Sequence, residues 1–184
     1  GQVVVEARRP GGLSVLSDAD VPAADAAGPV VGQRGVATYG PVELDAFLSD
    51  PDVALQGVIA VFTEGLYGGA STGDLETLFQ LIHLSMTQPR VDPVVLDQYL
   101  ADELAIASDP SIDPGYAEFR ALLDARYEDP RFLLPTVDSL AAVTDDDIER
   151  VVRDRFGDAS DFAFAFSGDF SASEATELAR RYLA

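Results

Sequence analysis

The 184-residue chain has no cysteine, no lysine and no tryptophan, with one histidine and one methionine. Without cysteine there can be no disulfide, no thiolate nucleophile and no Cys-ligated zinc. A single imidazole, His83, excludes any metal site built on two histidines of this chain. No apolar run approaches the roughly 20 residues that span a bilayer. The N-terminus lacks the basic and apolar regions of a secretory signal. Positive charge is scarce: 12 basic residues, all arginine, stand against 32 acidic ones, for a formal net charge of −20. No segment gathers a basic patch. Nucleic-acid binding is therefore excluded, because it needs cationic surface to displace counterions. The missing lysine has two readings, a GC-rich genome or a high-salt setting in which screening tolerates acidic self-repulsion. The excess of aspartate favours the second.

What is present suffices for a packed domain. Hydrophobic residues make up 47% of the chain, too many for disorder at this length. GQVVVEARR reads as a strand ended by Pro10-Gly11-Gly12. Its abrupt start suggests a single domain, residues 1–184, cut from a longer chain. Val21 to Arg34 is Ala-rich and helix-compatible, with Gly28-Pro29 expected to kink it or start it late and Gly35 as its C-cap. VELDAFL, after Pro41, makes a short helix. VALQGVIAVFTEGLYGGAS is β-rich and glycine-punctuated, a hairpin or two adjacent strands.

Ser71 and Thr72 can cap the next helix, with Asp74 and Glu76 in its first turn. Along it Leu75, Leu78, Phe79, Ile82 and Met86 form one apolar stripe. Asp92-Pro93 opens another helix through about Ala107, Tyr116 to Tyr127 gives a third, and Thr144 caps a fourth. DFAFAFSGDF is a strand with Phe162, Phe164 and Phe166 on one face and alanines opposite, a small face on which a helix could lie close. A helix from about Ser173 closes the chain. This order predicts an α+β sandwich, a mostly antiparallel sheet covered by several helices.

Each motif that could carry chemistry has a structural explanation. His83 lies at the border of an apolar stripe without a second histidine, the place of a packing or boundary residue rather than a ligand. No Gly-x-Ser-x-Gly elbow supports a nucleophilic serine. EGLYGGAS lacks the lysine and spacing of a phosphate loop, so its glycines belong to a hairpin or strand end. Asp145, Asp146 and Asp147 follow Thr144, where a helix start favours acidic residues. Asp18, Asp20 and Asp25 resemble the start of a calcium loop, but the loop's glycine is absent and Pro22 stands where an oxygen ligand belongs.

Taken in order, GGLSVLSDAD, DLETLFQLIHLSMTQPR and DFAFAFSGDF resemble the pitrilysin/insulinase zinc peptidases, from about Gln2 to Leu183. The resemblance is strongest to the domain that opens the non-catalytic second half of the long bacterial members. It implies the processing-peptidase type of α+β sandwich, in a protein whose two halves close around substrate. In the catalytic domains of that family a helix carries His-x-x-Glu-His, two zinc ligands and a general base on one face, then a Gly-Thr-like step. Setting Gly35-Val36 against that step puts Ala26, Pro29 and Val30 at the positions of the first histidine, the glutamate and the second histidine. No ligand and no base remain. Glu103, in QYLADELA, lies near the place of the third ligand and carries no role without the imidazoles.

The resemblance thus implies no catalytic residue, no metal and no cofactor in this domain, with zinc held by the catalytic half of its parent. Its partners would be that half, or a homologous catalytic subunit if the chain is a stand-alone scaffold, and a peptide substrate. The resemblance alone points to export, to the periplasm or cell surface.

Overall fold

A computed structural model describes residues 1–30, 35–109 and 111–183. Four strands form one sheet: β1 (Gln2–Pro10), β2 (Val53–Ile59), β3 (Thr63–Ser71) and β4 (Ala163–Gly168). Their order is β2-β3-β1-β4 and every neighbouring pair is antiparallel. The helices are α1 (Val21–Val30), α2 (Pro41–Phe47), α3 (Leu75–Thr87), α4 (Pro93–Ser108), α5 (Pro114–Arg126), α6 (Val137–Ala141), α7 (Asp145–Phe156) and α8 (Ala172–Tyr182). The fold is α+β, and no described helix is long and apolar enough to cross a membrane.

Period-two alternation decides which face of the sheet is covered. Val3, Val5, Ala7 and Arg9 of β1 point inward and are buried, while Gln2, Val4, Glu6 and Arg8 are exposed. The expected stripe of α3 is entirely buried, with Leu81 and Ser85 beside it. On β4 and just before it the phenylalanines meet the helices: Phe166 stacks on Phe79 with centroids 4.7 Å apart, and Phe162, the residue before the strand, stacks on Phe156 of α7. The helix expected on the alanine face is not there, and Ala163 and Ala165 are exposed. Large flat rings bury more apolar area than methyls, so the aromatic face takes the helices.

Small residues do allow a close helix–sheet contact, but on α1. Ala23, Ala24, Ala26 and Ala27 are buried, and a Cβ placed on Gly28 would come within 3.1 Å of the Ile59 amide nitrogen. The helix starts at Val21, not late, and carries Gly28 and Pro29 near its described end. Pro29 has no N–H to offer the Asp25 carbonyl four residues back. The expected extension through residues 31–34, and the side chains of Pro29 and Val30, lie outside the described structure.

Two other expectations change. A single 3-10 turn, Thr72–Asp74, separates Ser71 from α3, and the Ser71 hydroxyl donates to the Asp74 carboxylate (2.6 Å) rather than capping the helix. The glycines of EGLYGGAS lie inside β3: a Cβ on Gly65 or Gly68 would strike the Ala7 or Ala54 carbonyl oxygen of the adjoining strands. At Thr144 the cap is as expected, a reciprocal box with Asp147 (Thr144 N to Asp147 Oδ2, 3.2 Å).

One polar cluster breaches the core. Glu64, 1% exposed, pairs in register with Arg9, whose Nε donates to its carboxylate at 2.5 Å. Arg155 of α7 donates to the same carboxylate from Nε (2.8 Å), and Arg9 also pairs with Asp161. Strands β1 and β3 and helix α7 are thereby locked together by charge as well as by packing.

Candidate functional site

The helix that the resemblance aligns with the zinc helix is α1, and its surroundings define the site. Ala26, which the resemblance sets at the position of the first histidine, is 1% exposed and packed among apolar neighbours in the main core. The face of α1 bearing Pro22 and Asp25 borders a cavity of about 310 Å³. Arg120 and Asp124 of α5 form another wall, and Leu133, Leu134 and Pro135 a third.

Local sequence explains why these walls stand where they do. Asp113 caps α5 by accepting from the Tyr116 amide (3.0 Å), after which Pro114 starts the helix. The Pro130–Pro135 segment is pinned to the N-terminal region by Arg131, which donates to the carbonyls of Leu13 (3.1 Å) and Leu16 (2.7 Å) and pairs with Asp18 (2.9 Å). Arg120 crosses the cavity wall, donating to the Tyr116 hydroxyl (3.0 Å) and to the Pro135 carbonyl.

Asp25 is the electrostatic anomaly of the site. Burial pushes its carboxyl from 3.8 up to about 6, and the charge of Glu103 on α4 pushes the same way. Glu103 is itself half-buried and shifted upward, by burial first and then by Asp102. Glu103, which the resemblance sets near the third-ligand position, thus lies close enough to Asp25 of α1 for its charge to act there. Among the described residues Asp25 has no hydrogen bond and no ion pair. Nor do the described residues gather three His, Asp or Glu groups that could hold a metal ion.

The other candidates are placed plainly. His83 donates from Nδ1 to the Tyr182 carbonyl (2.8 Å), a boundary position tying α3 to α8. Asp18 and Asp20 are engaged by Arg131 and Arg150, and Asp147 by Thr144 and Arg150, rather than grouped around a shared centre. Two features escaped sequence reasoning. The Arg9–Glu64–Arg155 cluster had a signal, since Arg9 falls on the inward register of β1 and must find a carboxylate there. The acidic cavity had none, because α5, α6 and the segment between them converge on α1 only in the folded chain.

The sequence matches no family profile and no curated relative. Solved structures do match across nearly the whole chain. The periplasmic protease PqqL from Escherichia coli superposes with a TM-score of 0.80 at 19% identity, over 99% of this chain and 20% of that one. The ferredoxin protease FusC, in complex with Arabidopsis ferredoxin, gives 0.79 at 18% identity, over 99% and 20%. A peptidase M16 inactive domain from Pseudomonas fluorescens gives 0.78 at 15% identity, over 98% and 44%. The chain thus spans between a fifth and under half of the length of these neighbours. Its fold is the α+β architecture seen in these peptidases and in the M16 inactive domain.

Proposed function

We propose that this chain is a non-catalytic domain of a two-half zinc metallopeptidase, forming one wall of the chamber and helping to hold peptide substrate. The observation that carries the reading is a whole-length likeness to M16 peptidases, one of them an inactive domain, joined to what α1 offers. At the position where the resemblance expects an imidazole, the chain has Ala26, whose methyl is buried in the core. Zinc, the activated water and the general base belong to the catalytic half. This domain contributes surface: it confines the peptide and orients it, which by itself can supply several kcal/mol of rate enhancement. FusC is described with ferredoxin bound, and a polypeptide is the ligand class we carry over from it.

The direct test is metal analysis and peptidase assay of the isolated domain after dialysis. The expected result is no stoichiometric zinc and no hydrolysis of any peptide. One tightly held zinc per chain, or cleavage by the domain alone, would refute the reading.

A further inference from the structure

The cavity between α1, α5 and the Leu133–Pro135 segment has a lining that the fold alone does not require. Pro22, Leu133 and Leu134 offer an apolar surface, while Asp25 and Asp124 bring carboxylates to the same space. Two cations lie nearby, and neither pairs with Asp25. Arg120 keeps its charge but is turned to the neutral Pro135 carbonyl and Tyr116 hydroxyl, so the lining sets Asp18, Asp25 and Asp124 against one guanidinium, while Arg131 is paired with Asp18 and Asp129 and donates to two carbonyls. Asp25 is left half-buried with no hydrogen bond or ion pair among the described residues, near Glu103 of α4 and with Asp18, Arg120 and Asp124 around the same cavity. A partly buried carboxylate with no hydrogen-bonded partner gains from one that a ligand brings, and such groups concentrate at binding sites.

A bare divalent ion fits poorly, since the described residues present no group of three ligands and much of the wall is apolar. A cavity of about 310 Å³ lies at the small end of ligand pockets, room for one long side chain rather than a cofactor. Lysine and arginine combine an aliphatic stem with a cationic head, the two properties that these walls complement.

We propose that this cavity is a docking pocket for one basic side chain of an extended peptide, its stem against Pro22, Leu133 and Leu134 and its charged head at Asp25 and Asp124. The proposal rests on the substrate-holding reading above and adds a preference to it. The domain would select peptides with a lysine or arginine at the position that reaches the cavity. The walls are held in place by Arg120 and Arg131, so the pocket is formed before the peptide arrives.

The experiment measures fluorescence anisotropy of a labelled Ala/Gly host peptide with a central arginine, lysine or norleucine, added to the isolated domain. The arginine peptide should bind about tenfold tighter than the norleucine peptide, the scale of a hydrogen-bonded charge contact. Asp124→Asn, at an exposed position that leaves packing intact, and Asp25→Asn should each remove most of that preference. Asp154→Asn, on the exposed side of α7, should keep it, which separates the pocket from general attraction to an acidic protein. Equal binding of arginine and norleucine peptides, or a preference that survives both cavity substitutions, overturns the pocket and leaves substrate holding standing. Binding of N-acetyl-arginine amide that Asp25→Asn abolishes, with no binding of any peptide, supports the cation pocket and removes the substrate-holding reading.

Discussion

Replacing Asp25 with asparagine should stabilise the domain at neutral pH, and the gain should shrink as the solution is acidified. The folded protein holds the Asp25 proton up to about pH 6, whereas the unfolded chain releases it near 3.8. The native state therefore binds more protons than the unfolded state between those values, and ionisation works against folding. Below 3.8 the penalty is absent; it grows through the window and is complete above about pH 7. The separation between 3.8 and about 6, at about 1.4 kcal/mol per pH unit, makes the full penalty about 3 kcal/mol. By the same linkage it is about 1.6 kcal/mol at pH 5 and about 0.5 kcal/mol at pH 4. Asparagine keeps the shape and removes the charge.

For a domain of this size each kcal/mol moves Tm by about 2–4 °C, so the variant should melt about 6–12 °C higher at pH 7.5. The gain should be about half that at pH 5 and close to nothing at pH 4. Thermal melts of wild type, Asp25→Asn and the exposed control Asp154→Asn across that range decide the matter. Equal melting at pH 7.5 would show that Asp25 is well solvated or paired. A gain independent of pH, and matched by the control, would mean only that one negative charge among many had been removed.

Three further outcomes follow from the same structure. Glu64→Leu leaves Arg9 and Arg155 without their shared carboxylate and should lower stability by about 3–5 kcal/mol in urea denaturation; a loss below about 1 kcal/mol would show the cluster to be energetically idle. His83→Gln should change stability by no more than about 1 kcal/mol, since one hydrogen bond to the Tyr182 carbonyl is at stake; a loss of several kcal/mol on denaturation would contradict the boundary role. The melting temperature should rise between low and molar sodium chloride, because shortening the Debye length from about 10 Å to about 3 Å screens the self-repulsion of a net charge of −20. A flat or falling curve would trace the composition to genome bias alone.

The sheet and its helices were largely legible because their signals are periodic. The alternation of β1 and β4, the stripe of α3 and the Thr144 cap are local patterns that fix a face or an end. The failures came where the outcome depends on a competing partner. The alanines of β4 could have received a helix, but the phenylalanines on the other face bury more area, and α3 and α7 went there. Ser71 has the chemistry of a cap, yet the following 3-10 turn places Asp74 within its reach first. Within the site, the burial of Ala26 agrees with its place in an Ala-rich helix. The isolation of Asp25 had no such local signal, because it results from what Arg120 and Arg131, more than 90 residues further along the chain, are bonded to.

The claim that this domain serves catalysis by holding substrate is tested most directly by reconstituting peptide hydrolysis from separate halves. A quenched fluorescent peptide library would be offered to the catalytic half, to the half that contains this domain, and to their mixture. The catalytic half alone should cleave poorly, and the other half not at all. The mixture should recover activity with increasing concentration, most strongly on short unstructured peptides. Full activity from the catalytic half without its partner would contradict the substrate-holding role.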